Sequence, residues 1–149
     1  MTDVNRIVIH CSATEQWRDV SVDEIRRWHK LRGFKDIGYH YVIGLDGTVH
    51  AGRPVSMMGA HAMGYNDKSI GICYVGGLER NTKEPMDTRN PKQKESLVNL
   101  VETIKNIFDI KYIDGHRDLS VDLNGDGVIT PNEWMKQCPC FDVHKEFAL

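Results

Sequence analysis

No run of apolar residues in this 149-residue chain approaches the ~20 needed to span a bilayer, so a membrane partner is not expected. Excess charge of one sign is missing too. Its 19 Lys and Arg stand against 21 Asp and Glu, a net charge of −2, and no overall field draws it to nucleic acid or anionic lipid. A secretory leader is also lacking: "MTDVNRIVIHCSATEQ" has no basic start, its apolar segment is short, and His10 interrupts it. The expectation is synthesis and folding in a cytosol, where Cys11, Cys73, Cys138 and Cys140 serve as free thiols or metal ligands rather than disulfides. Repeats, low-complexity tracts and linkers are absent as well. One domain over residues 1–149 is the simplest organisation, long enough to bury a core.

What is present reads as alternating strands and helices. "RIVIHCSA" is a β-branched run ending in small polar residues, a strand and then a loop. "SVDEIRRWHKLRG" spaces Ser21 and Glu24 as a capping box, repeats Val22, Ile25 and Trp28 on a helical face, and stops at Gly33. "GYHYVIGLDGTVHAG" is two strands joined through Asp46-Gly47, and "SIGICYVGG" is a further buried strand. Asn90 and Pro91 open an amphipathic helix carrying Leu97, Leu100, Val101, Ile104, Ile107 and Phe108, and "IKYIDGH" supplies one more short strand. The fold class is α/β, a central mixed β-sheet flanked by helices.

His10 then falls at the end of the first strand and His116 at the end of the last. In open α/β sheets the functional crevice lies at those carboxyl ends. Two imidazoles and a thiolate from Cys138 would make a His2Cys set, three ligands for zinc with the fourth tetrahedral position left for water. Spacing alone does not single this set out from seven histidines and four cysteines. A strand-end histidine is more often a satisfied polar residue, and Cys138 serves equally well as an inert buried thiol.

"DLNGDGVITPNE" raises a second metal question. Its oxygen side chains Asp122, Asn124 and Asp126 stand at loop positions 1, 3 and 5, the Val128 carbonyl at 7 and Glu133 at 12, with Gly127 at 6, the pattern of a calcium loop. The preceding residues show no helical period, whereas Thr130, Pro131 and Glu133 can start a helix after it. This describes a lone EF-hand-like loop, inserted at 122–133, that stiffens the chain between His116 and Cys138. The plain alternative is an Asp/Asn/Gly-rich turn that binds nothing.

Taken together, "IVIHCSAT", "IRRWHKLRGFKDIGYHYVI", "DGTVHAGR", "GAHAMGYNDKSIGICYVGG", "GHRDLS" and "KQCPCFD" resemble the zinc-dependent N-acetylmuramoyl-L-alanine amidases. The likeness is to the phage T7 lysozyme branch, related to the peptidoglycan-recognition proteins. It covers nearly the whole chain in order, and the 122–133 loop is an insertion relative to it. The resemblance implies that fold, a zinc site at His10, His116 and Cys138, and hydrolysis of the lactyl amide between N-acetylmuramic acid and L-alanine. It also matches Tyr39 and Lys136 to the family's catalytic tyrosine and lysine, and puts "GAHAMGYN", with His61 and Asn66, along the substrate groove. It prefers Cys138 to the nearby Cys140 as ligand.

The chemistry suits these groups. A fixed ammonium at Lys136 would stabilise the oxyanion of the tetrahedral intermediate, and the Tyr39 hydroxyl could orient water or relay a proton. No residue stands out as the general base. His29 reads as structural, and His40, pointing opposite to Tyr39 on a strand, as not catalytic. Peptidoglycan is the expected partner and a monomer the expected state. The site of action is the cell wall after release, or wall fragments in the cytoplasm. Two other functions compete: a non-catalytic peptidoglycan binder of the same fold, and a Cys/His thiol hydrolase using Cys138.

Overall fold

A computed structural model of the chain describes residues 3–120, 129 and 137–148. The first strand, β1 (Arg6–Cys11), lies in the sheet interior, where its run Ile7-Val8-Ile9 is fully buried. Such unbroken apolar runs belong to strands covered on both faces. Its neighbours are β5 (Ser69–Tyr74) and β7 (Tyr112–Gly115), both parallel to it. Beyond β5 lie β3 (Tyr41–Ile43), parallel, and β4 (Val49–Ala51), antiparallel, giving the order β4-β3-β5-β1-β7. The sheet is mixed, and its only antiparallel pair is the Asp46-Gly47 hairpin among the described residues. There the Asp46 carboxylate accepts from the Thr48 N–H at 2.9 Å and Gly47 takes φ +85°, a conformation glycine adopts cheaply.

The two faces carry separate cores. One face packs Ile7, Ile9, Ile70, Ile72 and Tyr74 against Leu97, Val101 and Ile104 of α2 (Pro91–Ile107) and Val143 of α3 (Val143–Glu146). The other packs Val42, Cys73 and Val75 against Ile25 of α1 (Val22–Leu31). Since side chains alternate along a strand, His10 projects to the α1 side while Ile9 and Cys11 face α2. Both long helices are capped where expected, but the Glu24 carboxylate takes Arg18 instead of closing a box at α1. Ser21 accepts from the Glu24 N–H, and Asn90 with Gln93 forms a reciprocal capping box.

The structure departs from the sequence reading in four places. Tyr39 precedes β3 rather than lying in it. Ile107 is 67% exposed because the last turn of α2 runs past the core residues the helix buries. A second, two-stranded parallel sheet pairs β2 (Thr14–Glu15) with β6 (Gly77–Leu78). Helix α3, a single turn capped by Asp142, was not anticipated. No helix among the described residues is long and apolar enough to cross a membrane.

Candidate metal centre and active site

Because β1 and β7 are adjacent and parallel, their carboxyl ends bring His10 and His116 side by side, ring centroids 4.6 Å apart. The third group arrives from residues 137–141. That segment is held down by the Tyr74 hydroxyl donating to the Pro139 carbonyl at 2.6 Å and by the Arg117 N–H donating to the Cys138 carbonyl at 2.8 Å. Gly115 lets it dock, since a Cβ there would come within 2.7 Å of Pro139 Cδ. The Cys11 N–H then points at Cys138 Sγ, 3.2 Å away. One ligand atom each from His10, His116 and Cys138 falls within 4.8 Å of the others.

That donor set fits zinc. Imidazole and cysteine sulfur are its usual ligands, and bonds of about 2.0–2.3 Å let three such atoms share one ion. Cys140 does not compete in this arrangement. Its thiol donates to the Gly77 carbonyl at 3.4 Å and lies 3.9 Å from Cys11 Sγ. The Cys11 contact and then burial hold it protonated, well above the ordinary thiol value.

Tyr39 stands against this centre, its ring 5.0 Å from that of His10 and 5.2 Å from that of His29. Burial, reinforced by the neighbouring thiols of Cys73, Cys138 and Cys11, raises its hydroxyl well above the ordinary phenol value. It therefore remains an O–H donor. His29 and His40 are structural: His29 Nδ1 accepts from the Gly38 N–H at 2.8 Å, and His40 bridges the Gly71 N–H and the Met57 carbonyl. Burial pushes His29 down to about 4, helped by Arg32 and Arg53, and lowers His40 as well.

His61 and Asn66 differ from the expectation of substrate contacts. The His61 ring is buried, with Nδ1 2.9 Å from His10 Nε2 and Nε2 3.2 Å from Ser69 Oγ. Asn66 Oδ1 accepts from the backbone N–H groups of His61 and Ala62, both at 2.9 Å. The His61 ring nitrogens and the Asn66 carbonyl oxygen are thus engaged within the protein. The Tyr74 hydroxyl was missed because its partner, Pro139, lies far away in sequence, and Ser69 because nothing in the sequence turns the His61 ring inward toward it. Lys136 and the calcium-type loop, with Asp122, Asn124, Asp126, Val128 and Glu133, lie outside the described residues.

A second cluster of ligand-type side chains, Asp114, Asp118 and His144, has the same compactness. It is an ion-pair network: Asp114 takes Arg6 on one side and His144 Nε2, at 2.7 Å, on the other. Its effect is to tie α3 to β7.

With this geometry in hand, comparison with known proteins is decisive. The family model described as N-acetylmuramoyl-L-alanine amidase matches residues 1–140. The chain belongs to that family. Among its relatives, the endolysin of Enterobacteria phage T3 is 39% identical over 139 residues, covering 93% of this chain and 82% of that one. Among solved structures, the amidase LysC from Clostridium intestinale superposes with a TM-score of 0.73 at 27% identity, covering 97% of this chain and 81% of its own. A point mutant of Drosophila PGRP-LB, solved in complex with tracheal cytotoxin, superposes with a TM-score of 0.68 at 27% identity over 96% of this chain and 79% of that one.

Proposed function

We propose that the chain is a zinc-dependent N-acetylmuramoyl-L-alanine amidase that cuts the lactyl amide of bacterial peptidoglycan. The observation that carries this reading is the convergence of His10, His116 and Cys138 at the carboxyl ends of adjacent parallel strands. The phage endolysin and amidase relatives support the substrate class. What bound zinc supplies is Lewis acidity toward water and the amide carbonyl. The chain does the rest. His10, His116 and Cys138 hold the ion, and the Tyr39 O–H orients water and moves a proton at the reacting centre. Lys136, matched to the family's catalytic lysine by the sequence resemblance, would supply a positive charge to stabilise the oxyanion. Hydrolysis joins a water oxygen to the lactyl carbonyl carbon and breaks its C–N bond, leaving a carboxylate and an L-alanine amine that gains a proton from the water.

In this reading the 122–133 loop takes calcium through Asp122, Asn124, Asp126, the Val128 carbonyl and Glu133. It thereby orders the approach to Lys136 and Cys138; its support is the ligand pattern in the sequence. If calcium binds the native chain, it raises Tm, since a ligand of the folded state stabilises it. The chain acts as a monomer on wall muropeptides, either after release from the cell that made it or on fragments inside it.

The test is mass analysis of peptidoglycan digested by the purified protein. Free L-alanine amino ends are expected, lost on chelation and restored by zinc. Intact lactyl amides would leave a binding module, and cleavage that survives chelation would leave a thiol hydrolase.

A further inference from the structure

We infer that His61 is a positioning residue for the metal centre: through Ser69 it locks His10 in the Nε2–H tautomer, so that Nδ1 is the nitrogen His10 offers to the ion. This rests on the zinc reading above and deepens it.

Proton directions along the chain of contacts follow from its far end. The Tyr65 carbonyl can only accept, so the Ser69 hydroxyl, 2.7 Å away, spends its one proton there. Ser69 Oγ then has only lone pairs to offer His61 Nε2 at 3.2 Å, and that nitrogen must carry the hydrogen. His61 is buried among Gly71, His40 and His10 and holds one ring proton, so its Nδ1 accepts. At 2.9 Å from that acceptor, His10 Nε2 is the donor. A neutral imidazole with hydrogen on Nε2 has its ligating lone pair on Nδ1. A single backbone carbonyl thus sets the protonation of a metal ligand three hydrogen bonds away.

The fold makes room for this relay. The His61 ring lies over Gly71 of β5, where a Cβ would come within 2.6 Å of its Cγ, and beside Gly59, where one would reach 2.7 Å from its Cδ2. Asn66 fixes the backbone at His61 and Ala62, which anchors the base of the ring. Outer hydrogen bonds of this kind orient ligating histidines and are worth roughly 10–100-fold in metal affinity.

The experiment uses the full chain and two readouts. Long-range 1H–15N spectra of the zinc-free protein should show His10 protonated at Nε2. In His61→Leu, which keeps bulk but removes the acceptor, that signature should broaden or shift to Nδ1–H. His61→Asn, whose Oδ1 can replace the Nδ1 acceptor, should retain it. Zinc affinity, read by competition with a chromophoric chelator, should fall about 10–100-fold in His61→Leu, by less in Ser69→Ala, and largely recover in His61→Asn. A wild-type His10 protonated at Nδ1, or equal zinc affinity in wild type and His61→Leu, would overturn the proposal. If His61→Leu does not fold, the wild-type tautomer and the Ser69→Ala affinity still decide. A wild-type chain that binds no zinc yet shows His10 as the Nε2–H form would sink the metal reading and leave the relay standing.

Discussion

Two clusters of ligand-type side chains meet near the carboxyl end of β7, yet they are built for different ends. His10, His116 and Cys138 converge on one point, with the Cys11 N–H pointing at the sulfur and His61 Nδ1 meeting His10 Nε2. Asp114, Asp118 and His144 are equally close together, but Asp114 already has Arg6 and His144 as counter-charges. Compactness does not make a metal site. In the second cluster Arg6 and His144 already supply the positive charge that an ion would bring to Asp114.

Substitutions should break this contrast unequally. Cys138→Ser should abolish stoichiometric zinc and lower hydrolysis by about 10³-fold or more, while His144→Gln leaves zinc content unchanged. Zinc assay and muropeptide turnover on both proteins check this. Next in size, Tyr39→Phe should keep its zinc and lose about 10²-fold in kcat, the scale of one proton-handling group. An unchanged kcat would return Tyr39 to a packing role. In the second cluster, Asp114→Asn strips Arg6 of its charge partner in a half-buried setting and should cost about 2 kcal/mol of stability without changing zinc affinity, as denaturant unfolding with a parallel metal titration would report.

Acid separates the regions further. His29 is held neutral down to about 4 by burial, below the ~6.5 of an unfolded histidine. Between those values the unfolded chain takes up a proton that the folded one refuses. Stability therefore falls as pH drops through that window, by up to about 1.4 kcal/mol per pH unit for this group. His29→Gln should flatten that limb of a pH–stability curve. The smallest effect runs the other way at His144. Burial opposes its charge, but the Asp114 hydrogen bond and the Asp118 charge raise its pKa above the ordinary value. Its contribution is fully present below the ordinary histidine value and is lost as pH rises through the raised one. His144→Gln should remove that alkaline-side decline.

The sequence disclosed what is local. The strand bearing His10, the Ser21 and Asn90 caps, the Asp46-Gly47 turn and the apolar stripe of α2 all announce themselves within a few residues. Strand ends also brought His10 and His116 forward. The choice of Cys138 over Cys140, two residues apart, came only from the family resemblance; spacing could not supply it, because it depends on Tyr74 gripping Pro139 and Cys11 facing the sulfur. The inward role of His61 was hidden because its ring meets His10, a distant part of the chain, over the bare Cα of Gly71 in β5. Two-residue strands and the one-turn α3 carry too few residues for any period to show.

Native mass spectrometry of the purified chain beside its Cys138→Ser variant tests the central claim most directly. One zinc per wild-type chain and none in the variant is the expected result. A wild-type protein that cuts peptidoglycan while carrying no metal, or a variant that keeps its zinc, would contradict it.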